Sequence, residues 1–111
     1  MIYFNKTSDV NCENGRTGKN MKILGIDPGY AILGYGVVEK TGNRFRACRY
    51  GAVTTDAGMP MTERLEYLYD SLREIIDEER PDVASIEQLF FNTNAKTAIM
   101  VGQARGVAVL A

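Results

Sequence analysis

From Met21 onward, apolar and polar positions fall into well-defined blocks. Lys22 to Asp27 (KILGID) is a short apolar run closed by Pro28-Gly29, which predicts a buried strand ending in a turn. Ala31 to Lys40 (AILGYGVVEK) predicts a second strand. Its Gly34 and Gly36, two residues apart, bare one strand face, so something can approach the backbone closely there. Thr41-Gly42-Asn43 reads as a hairpin turn, and Arg44 to Thr55 (RFRACRYGAVTT) as a third strand with partial alternation. These connections are too short for crossover helices, so the three strands should pair antiparallel.

Residues 60–80 switch to helical period. Met61, Leu65, Leu68, Leu72, Ile75 and Ile76 share one face, Pro60 is tolerated near the start, and Pro81 ends the helix. The other face is acidic, with eight carboxylates against three arginines between Glu63 and Asp82. Val83 to Leu89 (VASIEQL) predicts a fourth strand, and because a helix precedes it the sheet turns parallel there. Asn94 should cap a last helix, rich in Ala and Gly, that runs to Ala111. The order β-β-β-α-β-α makes this an α/β fold with a mixed sheet. Residues 1–20 show neither period and are polar, so they read as a disordered extension before a domain at 21–111, the alternative being an ordered arm.

Composition narrows the chemistry. With 111 residues, 45% of them hydrophobic, the chain is one domain with enough apolar content for a core. The net charge of −1 shows no overall cationic character. The absence of His rules out His ligands, His bases and Ser-His-Asp triads within these residues. Cys12 and Cys48 lack metal-site spacing, and neither a signal peptide nor an apolar run of membrane length is visible. They read as reduced thiols in a cytoplasmic protein.

Two acids then draw notice. Asp27 ends an apolar strand, and Glu87 interrupts another. A carboxylate in either place is costly unless it is paired or holds a cation. No Lys or Arg lies within four residues of Glu87, and only Lys22 lies near Asp27. If the first and fourth strands are neighbours, the two carboxylates converge. Hard oxygen donors of this kind suit Mg²⁺, which keeps waters that a phosphate can replace. Two such ions about 4 Å apart can clamp the attacking and leaving oxygens of a phosphodiester, with Asp27 as the bridging ligand. The plainer alternative is that Asp27 only caps a turn.

Met21 to Tyr35 (MKILGIDPGYAILGY), Ile86 to Phe91 (IEQLFF) and Gly102 to Val107 (GQARGV), taken together and in order, resemble the RuvC family of Holliday-junction resolvases. The resemblance covers Met21 to Ala111. It implies an RNase H-like fold and a crossover junction endodeoxyribonuclease that acts as a homodimer on four-way DNA junctions in recombination and repair. It also implies two Mg²⁺ in the complete site, and RuvA and RuvB as branch-migration partners. Asp27 matches the family's first metal-binding aspartate, Glu87 its catalytic glutamate, and Phe90 an aromatic used against bases at the crossover. The family site has two further aspartates on a C-terminal helix that this sequence does not include. The expectation is therefore a C-terminally incomplete domain, inactive alone.

Other residues could serve the same site. Phe90 is expected outward and Phe91 inward, with Asn92, Asn94 and Lys96 meeting DNA backbone and Tyr30 lining the cleft beside Asp27. Lys40, Arg44, Arg46 and Arg49 could contact phosphates, or could simply protect a strand edge. Ala98, Gly102 and Gly106 recur every fourth residue, for packing on the sheet or for a subunit interface. Two other functions remain open. One is an ATP-binding domain of the actin/Hsp70/sugar-kinase type, although Tyr30 stands where such a loop places Thr or Ser. The other is a junction-binding scaffold without catalysis, which has no reason to keep two unneutralised acids together.

Overall fold

The computed structural model describes residues 2–3, 20–88 and 94–111. Its elements are β1 (Ile2–Tyr3), β2 (Asn20–Asp27), β3 (Ile32–Thr41), β4 (Arg44–Thr54), α1 (Met61–Glu79), β5 (Val83–Ile86) and α2 (Ala95–Leu110). They build one sheet in the order β1-β5-β2-β3-β4. β2, β3 and β4 form an antiparallel meander, and β5 returns parallel to β2 after α1. This is the expected mixed sheet, with β2 at its centre.

The turns follow from local chemistry. Gly42-Asn43 is a two-residue hairpin loop between the paired Thr41 and Arg44, and Gly42 takes the positive φ of 59° that a type II′ turn needs at its first position. The β2–β3 turn depends on Gly29, because a Cβ there would sit 2.2 Å from the Ile32 carbonyl oxygen. α1 ends where Arg80, in the left-handed region, returns its N–H to Ile76 before Pro81.

Leu24, Ile26, Leu33, Val37 and Val53 point to one face of the sheet, where α1 covers them with Leu68, Leu72 and Ile75. α2 packs beside α1 and joins the core through Ala104, Ala108 and Ala111. Small side chains at these positions let the two helices approach closely.

Four details differ from the sequence reading. Ile2–Tyr3 pair antiparallel with Val83 and Ala84, and Asn20 already belongs to β2, so these three residues are not a disordered extension. They satisfy backbone groups at the β5 edge and the start of β2, which no local period can signal. Residues 4–19 lie outside the described part. The strand expected to reach Leu89 stops at Ile86. Its neighbour β2 gives way to Pro28, which has no N–H to continue a ladder. The alternation of β4 is broken by a bulge: Val37 pairs with Arg49 and Val38 with Ala47, leaving Cys48 as the extra residue. Finally, Gly102 and Gly106 face solvent on α2, and the Ala104–Ala108 column is what packs.

Candidate active site

The sheet face opposite the helices carries the site. Alternation along β2 buries Leu24 and Ile26 beneath α1 and turns Gly25 and Asp27 to the other side. Gly34 and Gly36 of β3, paired with Asp27 and Gly25, lie on that same side. With Tyr50, Ala52, Ser85 and Glu87 they line an open trough. Its floor is nearly free of side chains: a Cβ on Gly36 would meet nothing within 4 Å, and one on Gly34 would only touch Asp27 Cβ at 3.6 Å. The two alternating glycines thus leave backbone bare directly beside Asp27.

Glu87 stands one residue beyond β5. Its N–H donates to the Ile26 carbonyl at 3.0 Å, which carries the β2–β5 pairing one step past the last strand residue. Its carboxyl lies beside that of Asp27. That contact, followed by the Asp27 charge and a smaller effect of burial, holds the Glu87 carboxyl above its usual titration range.

Among the described residues, no Lys or Arg forms an ion pair with either acid. Lys22, the nearest cation in sequence, sits towards the other end of β2 with its Nζ 3.3 Å from Glu79. The basic stretch of β4 is also engaged elsewhere. Arg46 donates to the buried Glu39 at 2.7 Å, while Arg49 bonds Glu78 and donates to the Tyr35 hydroxyl at 3.1 Å. These two arginines stand in a charge-paired edge strand.

Other expected site residues are dispersed. Tyr30 is not in the trough. Its ring packs partly against the core, with the Arg64 guanidinium 5.3 Å from its centroid. The turn after Asp27 passes towards the helix side, where an aromatic ring gains burial. Asn94 uses its Oδ1 to cap α2, accepting from the Lys96 and Thr97 amides at 3.1 and 3.4 Å. Lys96 is exposed on the first turn of α2, outside the trough lining. Phe90 and Asn92 lie outside the described residues, as does Phe91. Sequence reasoning missed Ser85 in the trough, and also Tyr50 and Ala52 of β4. The signal for Tyr50 and Ala52 was their register opposite Gly36 and Gly34, which only the bulged pairing reveals, and that for Ser85 its place opposite Gly25.

Comparison with known proteins settles the family. The model of the family described as crossover junction endodeoxyribonuclease RuvC matches residues 23–111. The chain belongs to the RuvC family. It is 60% identical over 90 residues to RuvC of Alkaliphilus oremlandii, covering 81% of this chain and 55% of that protein. It is 57% identical over 91 residues to RuvC of Ruminiclostridium cellulolyticum, covering 82% and 55%. Among solved structures, T. thermophilus RuvC in complex with Holliday junction substrate superposes with a TM-score of 0.74 at 30% identity, covering 81% of this chain and 56% of that one. The chain therefore spans a little over half the length of the RuvC proteins it matches, and the RNase H-like fold is shared over that span. RuvC nucleases are metal-dependent. Among the described residues, no helix is long and apolar enough to cross a membrane.

Proposed function

We propose that the chain carries half of the metal site of a structure-selective endonuclease. In this reading it resolves four-way DNA junctions by Mg²⁺-dependent phosphodiester hydrolysis during recombination and repair in the cytoplasm. The observation that carries the proposal is the pairing of Asp27 and Glu87, without a neutralising cation, at the rim of a trough floored by glycine.

The donor set fits the metal. Two adjacent carboxylates give hard oxygen ligands, and Mg²⁺ is commonly held by one or two carboxylates, with waters and substrate phosphate completing its shell. Among the described residues no third His, Cys, Asp or Glu joins them. The pair therefore suits one ion, and two ions in a complete site need acids beyond these residues. The cation would supply charge that activates water and stabilises the leaving oxygen. Asp27 and Glu87 would hold it, and a bound cation would offset the like-charge contact that raises the Glu87 carboxyl. The floor at Gly34 and Gly36 lets a sugar–phosphate strand lie close to the acids.

The neighbouring parts fit the same reading. Ile99, Gly102, Gly106 and Leu110 form an exposed stripe of apolar and small residues on α2, suited to a second copy of this chain in a homodimer. Lys96 and the Phe90–Asn92 segment would contact junction DNA, with Asn94 holding the start of the helix beside them. RuvA and RuvB would present that junction during branch migration.

Junction cleavage by a RuvC-length protein carrying this sequence is the test. Asp27→Asn and Glu87→Gln should abolish Mg²⁺-dependent cutting and leave junction binding intact, while residues 1–111 alone should not cut. Equal loss of binding and cutting would make both acids structural, as in a scaffold. Calorimetric binding of ATP would favour the nucleotide-binding alternative.

A further inference from the structure

We infer that Arg64 is a positioning residue for the acid pair: its buried guanidinium locks the turn that follows Asp27 and so fixes where that carboxylate stands. The inference rests on the reading of Asp27 and Glu87 as the metal-holding pair.

Arg64 lies on the inward face of α1 and is only 4% exposed. A buried guanidinium is costly unless each donor finds a partner. Among the described residues no carboxylate pairs with it. Its donors go instead to two backbone carbonyls in different loops. Nη1 donates to Tyr30 at 3.2 Å, in the β2–β3 turn, and Nη2 to Asp56 at 2.8 Å, between β4 and α1. One rigid fork thus ties a helix to both loops. An apolar residue would fill the space without making either bond, and Lys offers a point charge in place of a fork.

The locked turn begins at the acid. Asp27 ends β2, and Tyr30 follows three residues later. Thr55 reinforces the lock, its Oγ1 donating to the Tyr30 and Ala31 carbonyls at 3.0 and 3.2 Å. Its N–H also donates to the Ala31 carbonyl at 2.9 Å. Glu87 is tied to the strand ahead of that turn, by its N–H bond to the Ile26 carbonyl, and not to the turn itself. Releasing the turn would therefore move one acid relative to the other, and a cation held by both would feel the change.

The test uses the 111-residue chain with Mn²⁺ as probe, free ion being followed by electron paramagnetic resonance. Wild type should bind Mn²⁺, and Asp27→Asn should lose that binding. Arg64→Met should weaken it about tenfold, the usual scale for loss of a group that orients a metal ligand. It should also speed amide exchange at Ala31 and Ile32. Arg64→Lys should behave as Arg64→Met does, because the fork matters rather than the charge. Ile75→Val, a core change away from the turn, should leave Mn²⁺ affinity unchanged, which separates positioning from general loss of stability. If Arg64→Met does not fold, Thr55→Val loosens the same turn and should weaken Mn²⁺ in the same direction. Wild-type affinity in the folded Arg64 variants, or in Thr55→Val, overturns the inference. Mn²⁺ binding that ignores Asp27→Asn instead overturns the metal reading on which it rests.

Discussion

Glu87 donates its backbone N–H to the Ile26 carbonyl at 3.0 Å, and that bond sets its carboxyl beside Asp27. The two acids are separated by 60 positions in the chain, yet the parallel register of β2 and β5 places them opposite each other at a common strand end. Neither has a cation to offset it among the described residues, so the folded protein carries a like-charge contact that the unfolded chain lacks.

That contact gives stability a pH dependence of known sign. The Glu87 carboxyl titrates higher folded than unfolded. Between those two values the folded state binds the extra proton, so stability is greatest below the unfolded value and falls as pH rises through the raised one. Asp27→Asn removes the cause. It should raise the melting temperature near neutral pH, change little at a pH below the carboxylate range, and bring the Glu87 carboxyl back towards its ordinary titration. Side-chain carboxyl NMR and thermal denaturation at the two pH values check this. A lower melting temperature for Asp27→Asn at neutral pH would mean that Asp27 stabilises the turn more than it repels Glu87.

Gly29 is the residue of the turn with least latitude. A Cβ there would overlap the Ile32 carbonyl oxygen at 2.2 Å, and the obstacle is backbone rather than a yielding side chain. Gly29→Ala should cost at least about 1–3 kcal/mol, the range for overpacking a tight site. Urea denaturation should show a lower midpoint with an unchanged slope. A midpoint equal to wild type would show that the turn shifts freely.

The acids and the glycines were legible in the sequence because each breaks a local rule. An Asp that ends an apolar run, a Glu inside one, and glycines spaced for a strand face all depart from what a strand core prefers. Arg64 was not legible. It sits among the charges of an acidic helix and reads as solvated, and only the fold brings the Tyr30 and Asp56 carbonyls within reach of its fork. The outward face of Gly102 and Gly106 was hidden for a related reason. A helix of Ala, Gly and Val has little amphipathic contrast, so which side packs is decided by the neighbouring helix. The bulge at Cys48 likewise depends on how β4 meets β3, and no single-strand pattern encodes it.

The outer stripe of α2 should control self-association. Ile99 is 63% exposed and Leu110 76%, with Gly102 and Gly106 between them offering no side-chain barrier. Ile99→Glu places a charge in that stripe. Because Ile99 packs little within its own chain, the change should alter stability by no more than about 0.5 kcal/mol. In sedimentation velocity, wild type should shift from monomer towards dimer as concentration rises, and Ile99→Glu should remain monomeric. Equal association of the two proteins would move the interface away from this helix face.

The start of α2 separates a residue that holds the helix from one that is free to hold DNA. Asn94 accepts the Lys96 and Thr97 amides, so Asn94→Ala should cost about 1 kcal/mol of stability, as loss of a cap usually does. Lys96 is exposed and forms no ion pair among the described residues, so Lys96→Ala should leave stability near wild type. Its ammonium stands on the first turn of α2, where the positive end of the helix dipole already favours phosphate. If Lys96 meets one phosphate, Lys96→Ala should weaken junction binding alike for junctions of any sequence. It should also lower the slope of log affinity against log salt by about one. Titrations of a labelled four-way junction across a salt series read both effects. An unchanged slope would take Lys96 out of the DNA contact and leave the Phe90–Asn92 segment to make it.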